Sequence, residues 1–509
     1  PQRSTAWAGG GPERLVAGTL RGDARFVKTF SGDTPGHSQS LRGFLRRLDE
    51  QGEVLRISQE VDPAHEIAAY LRETGRGEDA ASDWGSASDS GLAIGSGPAV
   101  VFERVKGQDL AVVGNVLNSR SRAARALRTS VGELHQVLAD ATIDGPAPVV
   151  VSTAPCQEAV MAAPDLGKLP IPTFFENETG PYITAGVIVA KGEDGRRNVS
   201  FARLKPLDST RAFIGIAPNH HLAQLARAAG GRGHQLEIAV TIGNHPAVLL
   251  AGAYYLGLGD DELEVAGGLF REPVEVVECQ TVGLEVPAHC ELVIEGTLDP
   301  IEEIEEGAVS EFSGLYERYG PGQVVTVRHI SMREDALFQV IEPGLSAEHV
   351  LIGGLAIAAV LEHRLRELVP SVSEVAMSPG GCGRMHAVVA LRDAADGDAQ
   401  KVIQEALTSV TLVKHVTVVD DDIDVHDADA VEWAIATRMR ADRDLLVFEA
   451  MRSSRSDPQA GDGTVPKLGI NATRRAGDRQ DWSRAMPPPQ ALSRVRAALA
   501  AQRGEAASE

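Results

Sequence analysis

The sequence predicts a multidomain chain of mixed α+β and α/β class, with a barrel-like sheet between two α/β segments. Three observations carry that expectation. Over residues 38–150, helix-spaced apolar residues alternate with short β-rich runs. From Val149 to about residue 335, short strands follow one another across turns. After Phe338, helix and strand patterns alternate again. The length of 509 residues allows two to four domains, and 43% hydrophobic residues is an ordinary globular composition.

The elements follow in order. Residues 1–36 are mixed and Gly/Arg/Thr-rich and read as a flexible arm. The N-terminal α/β domain is placed at 37–150. There SQSLRGFLRRLDEQGEVLRI sets Leu41, Phe44, Leu45 and Leu48 at helical spacing before a strand, and a second helix follows near Pro63–Arg72. ETGRGEDAASDWGSASDSGLAIGSG is a polar, small-residue loop. PAVVFERV and LAVVGNV are strands and RSRAARAL is a helix. The strand-rich domain is placed at 151–335, with PVVVSTAP, YITAGVIVA, NVSFARL, AFIGIA, LEIAVTIG and HPAVLLAGA read as strands and DELEVAGGLF as a short helix capped by Asp260 or Asp261. The C-terminal α/β domain is placed at 336–475. It opens on the apolar helix HVLIGGLAIAAVLEHRLREL, and GGCG at 380–383 reads as a turn. Residues 476–509 are a Pro-rich linker and a terminal amphipathic helix over 488–503, expected to serve oligomerisation.

Charge narrows the functional classes. A net charge of −22 disfavours nucleic acid and anionic membranes, whose phosphates it would repel. No run of about 18 apolar residues is present, and the start has no secretory pattern, so a cytoplasmic protein is expected. Four cysteines without a CxxC pair suggest a reducing compartment and no structural zinc.

Residues 198–221, NVSFARLKPLDSTRAFIGIAPNHH, carry polar groups at both ends of an alternating stretch. Folded as a hairpin about Asp208–Ser209, Asn198 falls opposite Pro218–Asn219, close to the histidine pair that opens the helix HHLAQLARAAGG. An asparagine carbonyl and an imidazole can ligate a divalent ion, while the helix N-terminus equally suits an anion. Taken singly, the asparagine reads as a turn residue and the histidines as surface polarity. Downstream, Glu262 opens a helix, and Glu306 and Glu311 flank Gly307. Each reads alone as a capped helix start or a charged loop. A bend at Gly307 could aim both carboxylates at one guanidinium, with Arg203 the candidate. One carboxylate would hold the arginine and the other keep a proton. Arg203 lies five residues from Asn198, so an unbroken strand would point them to opposite sides. Asn198 is therefore expected just before the strand, a bulge being the alternative.

Over residues 38–475 the order and spacing of NVSFAR, APNHHLAQLA, GDDELEVAGGLFREPVEVVE, VPAHCELVIEGTLDP, EEGAVSEFSG, KHVTVVDDDIDV, AVEWAIATRMRADRD and KLGINATR resemble the UbiD-like decarboxylase family, which uses prenylated FMN. The resemblance implies a split β-barrel flavin-binding domain at the centre. It implies Asn198, His221 and Glu262 as ligands of Mn²⁺ (or Mg²⁺) at the cofactor phosphate, with K⁺ as a further ion. His221 holds the ligand register, and His220 is left without a role. Arg203, Glu306 and Glu311 match the Glu–Arg–Glu network. Ser200, Phe201, Ala202, Arg203 and Lys414 match cofactor contacts, Lys414 at the phosphate. Ala217, Phe312 and Ile352 match substrate-pocket positions. Gly252 and Ala253 stand where some relatives present serines to the cofactor.

The implied activity is reversible non-oxidative decarboxylation of an aromatic, heteroaromatic or α,β-unsaturated acid through a covalent adduct with prenylated FMN. Arg203 would hold the carboxylate and Glu311, its pKa raised by burial, would deliver the proton. A flavin prenyltransferase would supply the cofactor, and the protein would be a homodimer or higher homo-oligomer. A Mn-dependent hydrolase, a flavin-reductase-like module and a non-catalytic cofactor carrier are the competing readings.

Overall fold

The computed structural model describes residues 39–75, 97–142, 145–461, 463–475, 482 and 485–503. The expected N-terminal arm and most of the polar loop after residue 73 lie outside the described residues. Contacts divide the chain into two units, Pro1–Ala472 and Thr473–Glu509. The second contains the helix Pro489–Arg503.

In the first unit a four-stranded sheet runs in the order Val54–Val61, Ala99–Val105, Ala111–Gly114, Leu337–Gln339. The chain after residue 335 thus completes the N-terminal sheet before it enters the C-terminal α/β region. Alternate strand residues face opposite cores. Val101 and Val113 pack with Leu41, Phe44 and Leu45 of the first helix, while Val100 and Phe102 pack with Ile67 and Leu71 of the helix Glu66–Gly75. Ser40 caps the first helix by accepting from Gly43 N at 3.0 Å.

A buried ion pair ties that helix to the centre of the molecule. Arg42 donates to both oxygens of Glu291, Nε to Oε1 at 2.9 Å and Nη2 to Oε2 at 2.8 Å, and both side chains are fully buried. Arg333, also buried, lies 3.6 Å from Glu291. Replacing Glu291 by Leu removes the carboxylate that the two buried guanidinia share and leaves Arg42 with Asp335, 2.7 Å away, as its acidic partner. The expected loss is about 3–5 kcal/mol of stability, read as a fall in the urea midpoint.

The central sheet runs Arg197–Phe201, Val187–Lys191, Leu236–Ile242, Leu292–Glu305, Pro321–Met332, Arg211–Gly215, Arg203–Pro206, with Ala159–Val160 added on Pro321–Met332. Its first and last strands are separated in the chain by Ala202 alone, so the sheet must curl until its two edges meet. This is the expected barrel-like sheet, curled into a half-barrel. One face of its strands, including Ile188, Val240, Ile294, Val325 and Ile214, fills a single interior. The other face, with Val187, Ala239 and Val293, packs on helices Pro246–Ala251, Glu262–Phe270 and Ala347–Leu368. The first of these helices was expected as the strand HPAVLLAGA. Pro246 at its first turn and the cap from His245, which accepts from Ala247 N at 3.1 Å, start a helix instead. All six helical residues are buried, so no polar face marks a period and a short apolar run reads either way.

The C-terminal sheet runs Val372–Met377, His386–Leu391, His415–Asp420, Thr464–Asn471, Leu445–Arg452. Val375, Val389 and Val418 face Ile357, Leu361 and Ile403 on helices Ala347–Leu368 and Asp398–Ser409. Ala376, Val388 and Val419 face Val431 and Ala434 on helix Ala428–Arg438. Helices on both faces give the α/β layering the alternation predicted. No helix among the described residues is long and apolar enough to cross a membrane, and all four cysteines are free.

Candidate active site

The break at Ala202 builds the site. Arg203–Pro206 pairs with Arg211–Gly215 as a hairpin, closed by Asp208 Oδ1 accepting from Thr210 N at 2.9 Å and Arg211 N at 2.8 Å. The hairpin does not extend to Asn198. Asn198 lies inside the strand Arg197–Phe201 and pairs with Ala190, at the opposite edge of the curled sheet. This corrects both the expected Asn198–Pro218 register and the placement of Asn198 before its strand. Two strands on two edges, with no bulge, free Asn198 and Arg203 from a common alternation.

The edges meet at a cavity of about 440 Å³. Its walls include Asn198, Ser200, Phe201, Ala202 and Arg203, then Ala217, His221, Glu262, Glu311, Phe312 and Ile352. Gly252 and Ala253 line it as well. Lys414 is not among its lining residues. Its ammonium sits 3.0 Å from Asp457 Oδ1, so the structure gives this lysine a protein carboxylate as partner.

At one pole, Glu262 opens the helix capped by Asp261 and is 3% exposed. It accepts from Asn198 Nδ2 at 3.1 Å and Val199 N at 2.7 Å. Burial pushes its carboxyl up to about 8 against those two donors. His221 is the first residue of an earlier helix, His221–Gly230. His220 acquires a role the sequence left open: it is the N-cap, accepting from Leu222 N at 3.4 Å. Burial holds both imidazoles below their ordinary pKa, His220 at about 4. No cluster of three or more His, Cys, Asp or Glu side chains forms a metal cage among the described residues. An Asn, a neutral His and a buried carboxylate nevertheless make an oxygen-rich donor set that suits a Mn²⁺-like ion.

At the other pole, Arg203 Nε and Nη2 grip Glu306 Oε1 and Oε2 at 2.5 and 2.6 Å, and Glu306 is 1% exposed. Burial opposes the Arg203 charge, but Glu306, with Glu311, raises its pKa above the ordinary value. Nη1 makes no hydrogen bond among the described residues. Gly307, at φ +86°, supplies the expected bend between the two glutamates. Only Glu306 touches Arg203, however. Glu311 accepts instead from Tyr319 Oη at 2.6 Å, Phe312 N at 2.8 Å and Ser456 Oγ at 3.4 Å. Burial raises its pKa, but Tyr319, Arg203 and the Phe312 N–H outweigh burial and hold it below the ordinary carboxylate value. This corrects the expectation of a raised pKa: the donors around Glu311 favour its charged form.

Sequence reasoning missed several wall residues. Lys205 is not in the wall but donates to Glu306 O behind it; its place two residues after Arg203 on one strand was a usable signal. The Tyr319 ring lies 5.3 Å from the Arg203 guanidinium and 4.5 Å from that of Arg455. His349 and Arg384 also line the cavity. Nothing local in the sequence marks Tyr319, Arg384 or Arg455.

Three family models match the chain: the 3-octaprenyl-4-hydroxybenzoate carboxy-lyase N-terminal domain over residues 45–142, its Rift-related domain over 148–346 and its C-terminal domain over 350–472. The chain is 33% identical over 450 residues to an anhydromevalonate phosphate decarboxylase of Methanosarcina mazei, covering 88% of this chain and 99% of that protein. Among solved structures it resembles the UbiD-class enzyme HmfF of Pelotomaculum thermopropionicum in complex with FMN, at 38% identity and a TM-score of 0.82, covering 90% and 99% of the two chains. An evolved dimeric form of HmfF in complex with prFMN aligns at 36% identity and a TM-score of 0.79, with the same coverage. A 3,4-dihydroxybenzoic acid decarboxylase of Enterobacter cloacae aligns at 26% identity and a TM-score of 0.77, covering 89% and 99%.

Proposed function

Because the chain belongs to the UbiD family of prenylated-FMN-dependent carboxy-lyases, we propose that its cavity decarboxylates a conjugated carboxylic acid, with Arg203 holding the carboxylate and Glu311 delivering the proton. The observation that carries this reading is the pairing of Arg203 with Glu306, which leaves Nη1 for a ligand while Glu311 stands on the same cavity wall. The Enterobacter 3,4-dihydroxybenzoic acid decarboxylase supports an aromatic acid and the Methanosarcina relative an acid bearing a phosphate. The apolar Phe312 and Ile352 suit a flat, conjugated body of either kind.

Asn198, His221 and Glu262 would hold Mn²⁺ (or Mg²⁺) at the cofactor phosphate, and K⁺ is a second ion of the same reading. A cation there offsets the cost of the buried Glu262 charge. Ser200, Phe201 and Ala202 would lie against the flavin. Prenylated FMN, when bound, supplies the electron sink for loss of CO₂. The remaining work belongs to side chains. Glu306 fixes the Arg203 fork, and the fork orients the substrate carboxylate. A bound carboxylate also answers the cation that lowers Glu311 and adds a negative charge nearby. Both effects raise the Glu311 pKa, so the acid that binds prepares its own proton donor. Glu311 then takes a proton from solvent and passes it to the carbon that has lost CO₂. Lys414, paired with Asp457 at 3.0 Å, is the further candidate contact of the cofactor phosphate. A flavin prenyltransferase would supply the cofactor and a second copy of the chain would complete a homodimer.

The test is co-expression with a flavin prenyltransferase, followed by a panel of conjugated acids scored for CO₂ release and for deuterium exchange into the product. A cofactor-loaded protein that exchanges no proton into any product overturns the reading. Tyr319→Phe tests the proton donor separately. It removes an O–H that lowers the Glu311 pKa, so that pKa rises and the protonated form persists to higher pH. The limb of the pH–rate profile that reports Glu311 should move to higher pH. An unmoved limb counts against Glu311 as the titrating donor.

A further inference from the structure

We infer that the cavity receives a second anionic group on the substrate, a carboxylate or a phosphate, and that Arg384 is the residue that binds it. The inference rests on the decarboxylase reading for its first carboxylate and extends that reading to the substrate's far end.

Three guanidinia line the cavity: Arg203, Arg384 and Arg455. Arg203 is answered by Glu306. Arg384 has no carboxylate within 4 Å among the described residues, and its hydrogen bonds are two long donations of 3.4 Å to His349 O. The acidic neighbour that acts on its charge, Glu311, is already bonded to Tyr319 and Phe312. A guanidinium drawn from water into a partly apolar cavity costs free energy unless a counter-charge meets it. Arg455 also has no carboxylate within 4 Å among the described residues, but it donates to Ile216 O at 3.1 Å and lies 4.5 Å from the Tyr319 ring centre, so Arg384 is the more weakly bonded of the two.

Arg384 is also seated rather than loose. Its guanidinium lies 4.9 Å from the centre of the Phe312 ring. Beneath it is Gly353, where a Cβ would fall 2.5 Å from the guanidinium carbon. Arg203 rests on Gly215 in the same way, with a Cβ there 2.8 Å from its guanidinium carbon. Both seated arginines thus occupy space that any larger residue would take. Arg384 is carried by the C-terminal α/β region, just ahead of strand His386–Leu391, whereas Asn198 and Glu262 belong to the central sheet and its helix. The proposed cofactor phosphate and this second anion therefore have separate walls. Phe312 and Gly353, neighbours in sequence of Glu311 and Ile352, put Arg384 on the substrate side.

The experiment titrates the cofactor-loaded protein with benzoate, benzene-1,3- and 1,4-dicarboxylate, and 3- and 4-phosphonobenzoate, following binding by calorimetry and CO₂ release in parallel. At least one two-anion probe should bind tenfold or more tighter than benzoate, a gap of about 1.4 kcal/mol. The dicarboxylates against the phosphonates decide which anion the site prefers. Arg384→Gln should erase the gap and leave benzoate within about twofold. Gly353→Ala should narrow the gap by unseating Arg384, and it is the deciding variant if Arg384→Gln does not fold, because alanine favours its helix. Equal binding of all five probes, no binding of any, or a gap that survives the deciding variant overturns the inference. A gap without CO₂ release from any acid leaves the anion site standing and removes the decarboxylase reading. Decarboxylation without a gap does the reverse.

Discussion

Glu311→Gln is expected to lower turnover by about two to four orders of magnitude, the usual contribution of a positioned acid, while cofactor content and flavin absorbance stay unchanged. The amide keeps the carbonyl oxygen that accepts from Phe312 N and the space beside Tyr319. What it loses is the exchangeable proton. Because Arg203 and Glu306 are untouched, KM for the acid should change far less than kcat, a split that separates proton delivery from binding. The low pKa of Glu311 sharpens this expectation. In the free protein its donors favour the carboxylate, so the proton must arrive with the substrate. Wild-type binding should therefore take up a proton near pH 7, visible as a buffer-dependent calorimetric heat, and Glu311→Gln should abolish that uptake. Full activity in the variant, or unchanged uptake, would assign the donor role elsewhere.

The parts of this site that were legible in the sequence are those fixed by short-range chemistry. Asp261 capping a helix places Glu262, a glycine between Glu306 and Glu311 supplies a bend, and Asp208 closes a hairpin on Arg203. What was not legible depends on which distant strands pair. The alternation in NVSFARL is continuous, yet the chain passes at Ala202 from one edge of the curled sheet to the other. That switch is a property of the closed sheet, and period-two patterning carries no mark of it. The carboxylate partner of Lys414 was not legible for a related reason: Asp457 comes from a separate segment, and only the fold brings it to the lysine. Tyr319, Arg384 and Arg455 come from three separate segments and acquire meaning only when those segments share a wall.

Arg203→Gln is expected to cost both stability and activity, and the two losses can be separated. Its guanidinium is the bidentate partner of Glu306, which is 1% exposed. Removing it leaves a buried carboxylate uncompensated, a loss of about 3–5 kcal/mol. Lys205 cannot substitute, because its ammonium is committed to Glu306 O and Thr179 Oγ1. In the double variant Arg203→Gln/Glu306→Gln the stranded charge disappears, so much of the stability should return. Turnover should not return, because the double variant still lacks the cation proposed to receive the substrate carboxylate. Arg203→Lys divides the roles further: it keeps a positive charge near Glu306 but loses the planar fork. That variant should retain more stability than Arg203→Gln while binding the acid weakly. Chemical denaturation of the wild type, Arg203→Gln, Glu306→Gln and the double variant gives the coupling energy of the pair, and recovery of turnover in the double variant would show that Arg203 serves the fold alone.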